Sequence, residues 1–132
     1  MATVIFKTSS EHLAGVLRTS KHALRGRPMH LQRGDMILLA KLVEDLRPEE
    51  PQIQFSMLFE RARRDSARES DDIWGRHWPW IIDCSSLKSL TRPFNIKDHQ
   101  VTTTNYSTGG TVVYVDLQDE RALAERGLYA GI

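Results

Sequence analysis

The chain has 132 residues, of which 40% are apolar and 27% charged, a balance typical of a folded globular protein rather than a disordered one. This length fits one domain over residues 1–132. No apolar run approaches the ~20 residues of a membrane span, and the opening MATVIFKTSS lacks the pattern of a secretory signal. The lone Cys84 excludes an internal disulfide and a cysteine-based zinc site. These features predict a cytoplasmic protein with no membrane partner.

The net charge is only +1, but the charges are unevenly distributed. Residues 12–33 contain no acid, whereas VEDLRPEE and DLQDERALAE concentrate the acids. Two basic groups result: Arg18, Lys21, Arg25, Arg27 and Arg33, then Arg61, Arg63, Arg64, Arg68 and Arg76. Such an asymmetry attracts phosphates even when the total charge is small, although a solvated helical face produces the same pattern.

The first half of the chain begins with a strand and a helix. ATVIFKT is rich in β-branched and aromatic residues, which predicts a strand. Thr8 and Glu11 have the spacing of a capping box, and an apolar helical stripe follows them. LRGRPMHLQRGD is typical of a loop, MILLAKLV predicts a buried strand, and RPEEP predicts a surface turn.

The second half contains further strands and a closing helix. Apolar and polar residues alternate in QIQFSMLFERAR, which predicts a strand with one buried face. RDSARESDD is expected to be a loop or a short helical turn, WPWIIDC a strand, LKSL a connection and RPFNI another short strand. Gly109 and Gly110 predict a hairpin turn between VTTTNY and TVVYV, and DERALAERGLYA predicts a helix. We therefore expect an α+β fold, with a mixed or barrel-like sheet and helices packed outside.

Few residues have the spacing of a catalytic or metal site. Cys84 lies at the end of a predicted buried strand, where a lone cysteine is typically a small core residue. The five histidines form neither HxxxH nor HExxH, and there is no phosphate loop or dinucleotide fingerprint. We therefore expect no catalytic residue, no metal and no cofactor.

All three tryptophans lie in ESDDIWGRHWPWIID, residues 69–83. In an alternating strand Trp78 and Trp80 point to the same face; Trp80 is expected in the core, and for Trp78 core packing and a place in a pocket both stay open. Trp74 lies among charged residues and beside Gly75, where burial is hard to arrange. A tryptophan on a rim beside cations suits stacking on a nucleobase, so Trp74 is the leading candidate for base binding.

The order of these motifs is distinctive. VIFKTSS runs directly into a helix, a basic loop and GDMILL follow, and FERARRDS, DDIWGRHWPWIID and PFNI come after them. FKTSS stands where YTH domains have a Lys-Ser-Tyr-like stretch, and IWGRHWPWII where they have a tryptophan, Lys-Gly-Arg and a strand ending in Trp-Ile. From residue 4 to about 96 the chain thus resembles the PUA-like superfamily, specifically its EVE and YTH branches, which bind nucleic acids and recognise modified bases. The resemblance implies a PUA-like mixed-sheet β-barrel.

The resemblance also implies a base pocket. Trp74 matches a wall of the aromatic cage around a methylated base, and Trp80 matches a tryptophan that packs inside. Polar residues beside the first strand complete the pocket, so that its expected members are Lys7, Thr8, Ser9, Trp74 and Trp78. The family's other cage tryptophan follows the first helix, where RTSKHALRGR has no aromatic residue, which leaves an EVE-like pocket of different specificity open. The glycine-lysine-glutamate-arginine signature of ASCH domains, which belong to the same superfamily, is missing, so their type of enzyme activity is not supported.

We expect a non-catalytic module that binds RNA or single-stranded or modified DNA and holds a flipped base in this pocket. The start of the first helix and the acid-free stretch are expected to bind the phosphate backbone. The residues expected there are Arg18, Lys21, Arg25, Arg27 and Arg76. Two alternatives stay open: a small nuclease or nucleotide-processing enzyme that uses Lys7, Asp72, Arg76 and Tyr106, or a protein-interaction domain that docks through its tryptophan segment.

Overall fold

The structure, a computed structural model, describes residues 2–96 and 110–125. Its strands are β1 (Thr3–Thr8), β2 (Lys21–Leu24), β3 (Met36–Lys41), β4 (Ile53–Arg64), β5 (Trp80–Phe94) and β6 (Val112–Tyr114). Its helices are α1 (Ser10–Thr19), α2 (Glu69–Trp74) and α3 (Leu117–Glu125), with a 3-10 helix over Val43–Asp45. None of the helices within these ranges is long and apolar enough to cross a membrane.

The described strands form one mixed sheet in the order β2-β5-β4-β3-β1-β6. β1 and β3 are parallel, and every other neighbouring pair is antiparallel. The predicted α+β class with a mixed sheet is therefore confirmed.

Hydrophobic cores lie on both faces of this sheet. One contains Ile5, Met36 and Leu38 with Leu123 of α3, and the other contains Phe6, Ile37 and Leu39 with Val16 of α1. Because both faces of β1 and β3 are covered, ATVIFKT and MILLAKLV are nearly continuous apolar runs rather than alternating ones.

Two contacts show that the sheet curls. The Thr8 side chain, at the end of β1, lies 3.0 Å from the ring of His22 in β2, although β2 forms the far edge of the sheet. The Tyr114 hydroxyl of β6 donates a hydrogen bond to the carbonyl oxygen of Met29, in the loop that follows β2. The curl thus brings opposite edges together into a half-barrel.

Several local expectations need correction. Ser9, not Thr8, caps α1, since its side chain accepts a hydrogen bond from the His12 N–H at 3.1 Å; Thr8 ends β1 and is buried. β2 was not predicted at all. It forms because KHAL pairs with the start of β5, a tertiary contact that outweighs the local composition.

β5 is also longer than expected. It joins most of WPWIIDC, all of LKSL and the start of RPFNI in one strand. It pairs with β4 from Trp80 opposite Arg64 to Phe94 opposite Ile53, with three register shifts along the hairpin. α2, six residues long, agrees with the short helical turn that was one of the two expectations for this region. β6 lies in the predicted TVVYV strand and α3 in the predicted closing helix. VTTTNY, Gly109 and residues 126–132 lie outside the described residues.

Candidate functional site

A cavity of about 910 Å³ opens where the two edges of the curled sheet meet. The end of β1, the first turn of α1, β2 with its following loop, and residues 110–114 line it. Of the expected pocket residues, the structure brings together Lys7, Thr8, Ser9 and Trp78, along with Arg25 and Arg27. The volume is within the range of small-molecule sites, roughly 300–1,000 Å³.

A buried hydrogen-bond chain forms the floor of this cavity. Nδ1 of His22 lies 2.9 Å from the Ala23 nitrogen and 3.1 Å from the Ala23 carbonyl oxygen, and the tautomer with the proton on Nε2 is the one that satisfies Ala23 N–H, Thr8 and Phe6 together. That Nε2–H donates to Oγ1 of Thr8, which in turn donates to the Phe6 carbonyl oxygen at 3.0 Å. Burial, reinforced by the nearby His12, lowers the pKa of His22 to about 3. The floor is therefore uncharged at neutral pH.

His12 lies at the centre of an aromatic cluster. Its ring stacks on Trp74 with centroids 4.4 Å apart and planes 2° from parallel. It also contacts His22 at 4.6 Å and meets Trp78 edge to face at 5.1 Å. Burial and then the positive charge of Arg76 lower the pKa of His12 to about 4. We call His12, His22, Trp74 and Trp78 the ring cluster; both of its histidines are neutral at neutral pH.

Trp74 does not occupy the expected position on the pocket rim. It ends α2 and packs against α1, where its Nε1–H donates to the His12 carbonyl oxygen at 2.9 Å. Gly15 makes room for it, since a Cβ atom at that position would lie 2.8 Å from Cδ1 of the indole. Packing on α1 leaves Trp74 partly buried despite its charged neighbours in sequence. Trp74 stacks on the His12 ring and is not part of the cavity lining.

Trp78 is the tryptophan that lines the cavity. Its backbone N–H donates to Oγ of the buried Ser70 at 2.8 Å, which fixes the chain just before β5. The guanidinium groups of Arg76 and Arg25 lie 4.3 and 5.8 Å from its ring centroid. Such arrangements are cation–π interactions.

Trp80 was expected in the core, and this was wrong. It is partly exposed at the start of β5, with the guanidinium groups of Arg64 and Arg27 at 4.9 and 5.7 Å from its ring. At the start of β5 the indole packs against arginine side chains from the end of β4 and from the loop after β2 rather than against an apolar layer.

The expected phosphate-binding residues fall into two groups. Arg25 and Arg27 are exposed on the cavity lining, and neither they nor the exposed Arg76 has an ion pair among the described residues. Lys21 instead pairs with Glu69 at 2.8 Å, and Arg18 donates to the Ile73 carbonyl oxygen at 3.0 Å, away from the cavity. The structure therefore brings Arg25 and Arg27 to the cavity but not Lys21 or Arg18.

The start of α1 already has an anion of its own. The Ser10 N–H donates to the Asp45 carboxylate at 2.8 Å, and Ser9 satisfies the His12 N–H. A carboxylate of the protein thus lies where a phosphate was expected, so the helix terminus adds little to phosphate binding.

Of the residues considered for an enzyme, those that the structure describes do not all line the cavity. Lys7 lines the cavity, whereas Asp72 and Arg76 are not in its lining. Tyr106 lies outside the described residues. Burial raises the pKa of the Cys84 thiol, which keeps it protonated and unreactive at neutral pH.

No protein-family model matches the sequence, and no curated protein is significantly similar to it. Solved structures do match. The ASCH protein of Zymomonas mobilis superposes with a TM-score of 0.65 at 10% identity, over 93% of this chain and 94% of that chain. A Pseudomonas putida protein superposes with a TM-score of 0.58 at 12% identity, over 94% of this chain and 98% of that one. Rpa0253 of Rhodopseudomonas palustris gives a TM-score of 0.52 at 15% identity, over 100% of this chain and 97% of that one.

This chain has a PUA-like fold. The PUA-like architecture expected from the sequence is thereby confirmed as a fold, whereas the named neighbour is an ASCH protein and not an EVE or YTH domain. Because the sequence lacks the ASCH signature, its motifs did not indicate an ASCH protein as a structural neighbour. Since the identities are 10–15%, the similarity establishes the fold and not a shared activity.

Proposed function

We propose that this chain is a nucleic-acid-binding module that accepts one base of a single strand in the cavity between β1 and β2. The observation that carries the proposal is the convergence of Trp78, a neutral polar floor and unpaired arginines on one cavity. A flipped base requires a flat wall for stacking and a few polar groups for its edge. Trp78 offers the wall, and polar side chains of the lining such as Lys7 and Ser9 offer the polar groups.

The distribution of charge supports a ligand with its base inside the cavity and its phosphate at the opening. The histidines of the floor are neutral, so the interior offers no cation to compensate a buried phosphate. The exposed Arg25 and Arg27 line the cavity where it meets the surface. A nucleotide is therefore expected to place its base inside and its phosphate at the opening, where guanidinium groups form bidentate contacts.

The fold supports the same partner class. PUA-like domains, which include the EVE and YTH branches that the sequence resembles, are nucleic-acid-binding domains. RNA or single-stranded DNA is the proposed partner. An EVE-like preference for a modified base is the finer form of the proposal, with Trp78 taking the place in the pocket that was first expected for Trp74.

The test is direct binding of labelled single-stranded RNA and DNA, followed by fluorescence anisotropy. The wild type is expected to bind with an affinity that falls steeply with salt. Trp78→Ala removes base stacking worth roughly 1–3 kcal/mol, which weakens binding about 5- to 150-fold. Trp74→Phe is the matched control, because it keeps an aromatic ring against His12 and alters no residue of the cavity lining. Equal affinity of the wild type and Trp78→Ala contradicts the proposal.

A further inference from the structure

Trp80 carries two arginines against its ring at the surface of the protein. The guanidinium groups of Arg64 and Arg27 lie 4.9 and 5.7 Å from the ring centroid, and both arginine side chains are exposed. Neither arginine has an ion pair among the residues that the structure describes. Two positive charges beside an indole, with no carboxylate to balance them, are available to an anionic ligand that has a flat group.

The arginines on the other face of β4 are already neutralised. Arg61 and Arg63 both donate to the Asp83 carboxylate at 2.7 Å. Because side chains alternate between the two faces of a strand, Arg64 projects from the face opposite to that of Arg63. The unbalanced charge of β4 therefore lies on the face that carries Trp80, its neighbour in the sheet.

The face that carries Trp80 also lines the cavity. Trp80 is directly opposite Leu24 of β2, and directly opposed residues of an antiparallel pair project from the same face. Leu24 lines the cavity, and so does Arg27, whose guanidinium group reaches the Trp80 ring. Arg27 therefore connects the cavity with the surface formed by Trp80 and Arg64.

We propose that Arg27, Trp80 and Arg64 form a second nucleotide site, which binds the nucleotide next to the one whose base lies in the cavity. This inference rests on the proposed function and adds a second position on the same single strand. Bases of single strands stack on aromatic rings and on guanidinium planes, so the indole and its arginines together offer a stacking platform. Guanidinium groups also bind phosphate oxygens in bidentate fashion, which assigns the phosphate between the two nucleotides to Arg27.

The second nucleotide site is expected to contribute affinity and not base selection. Stacking on a flat ring tolerates every base, and contacts with phosphate carry no information about the base. Affinity is therefore expected to increase with the length of the strand, and by a similar factor for each base.

The experiment compares a 5′-mononucleotide with a tetranucleotide of the same base, for each of the four RNA bases, by isothermal titration calorimetry. The wild type is expected to bind the tetranucleotide more tightly, because only the longer ligand reaches both sites. Arg64→Ala is expected to weaken tetranucleotide binding and to lower its salt slope by about 1, since one phosphate contact is lost. Trp80→Leu is expected to weaken tetranucleotide binding about 5- to 150-fold through the loss of stacking. Neither variant is expected to change mononucleotide binding.

Arg61→Ala is the matched control, because this exposed arginine of the same strand is paired with Asp83, and it is expected to leave both affinities unchanged. Arg64 is exposed, so Arg64→Ala decides the matter even if Trp80→Leu does not fold. An Arg64→Ala protein that binds both ligands like the wild type, or loses affinity for both equally, overturns the inference while the proposed function stands. Equal affinity of the wild type for the mononucleotide and the tetranucleotide also overturns it. If the wild type binds neither ligand, the proposed function fails, and the inference fails with it.

Discussion

Oγ1 of Thr8 and Nε2 of His22 lie 3.0 Å apart in the protein interior. This hydrogen bond joins β1 to β2, which are separated in the sheet by three other strands, so it closes the curl across the cavity floor. It also favours the His22 tautomer with the proton on Nε2, in which Nδ1 accepts from the Ala23 N–H.

Removing this hydroxyl is expected to destabilise the fold. Thr8→Val keeps the shape of the side chain and leaves the buried Nε2–H of His22 without an acceptor, at a cost of about 1–3 kcal/mol. Thr8→Ser keeps the hydroxyl and is the control, with a smaller loss that reflects one methyl group. Urea unfolding measures both, and equal free energies of unfolding for the two variants contradict the role given to this bond.

Stability is expected to fall when the pH is lowered from 6.5 to 5. The folded-state pKa values of His12 and His22 are about 4 and 3, below their ordinary value of 6.5, so the unfolded chain binds protons first. The stabilisation is fully present above pH 6.5 and is lost as the pH falls toward these values. For His22 alone the loss by pH 5 is on the order of 2 kcal/mol.

Denaturant unfolding at several pH values tests this. The lowered pKa values of Glu50 and Glu69, about 2, add a further loss only below about pH 4.5, so the window from 6.5 to 5 isolates the histidines. A flat stability profile across this window shows that the two buried histidines are not held neutral by the fold.

Gly15→Ala is expected to destabilise the protein, although alanine favours a helix more than glycine does. The added Cβ would lie 2.8 Å from Cδ1 of Trp74 and 2.9 Å from Cγ2 of Ile73. The indole must then leave its place against His12, and overpacking of this kind costs about 1–3 kcal/mol. The comparison is Ala14→Gly, at an exposed position of the same helix, which loses roughly 1 kcal/mol of helix propensity alone. A stabilised Gly15→Ala protein rules out the tight packing of Trp74 on α1.

Arginines of the cavity lining are expected to set the salt dependence of nucleic-acid binding. Arg25→Ala and Arg27→Ala each remove an unpaired cation, which lowers the slope of log affinity against log salt by about 1. Arg61→Ala is the matched control, because this exposed arginine is paired with Asp83 at 2.7 Å on another part of the sheet. A salt slope that changes equally in all three variants places the nucleic acid elsewhere.

Much of the fold was predictable from local patterns. The apolar runs of β1 and β3, the alternation at the start of β4 and the amphipathic α1 are properties of short segments, and each formed close to where it was expected. Lys7, Thr8 and Ser9 lie next to each other in sequence at the end of β1, and all three line the cavity. The α+β class and the PUA-like order of elements follow from these segments.

Only the tertiary structure decided which tryptophan faces the cavity and which histidines form its floor. Trp74 and Trp78 are four residues apart and have similar neighbours in sequence. Their positions depend on a contact between α2 and Gly15 of α1 that no local pattern encodes. His12 and His22 looked like isolated histidines because their partners come from β1, α2 and the segment before β5. Sequence patterning reports burial along one segment, whereas a site is made where the curl of the sheet brings distant segments together.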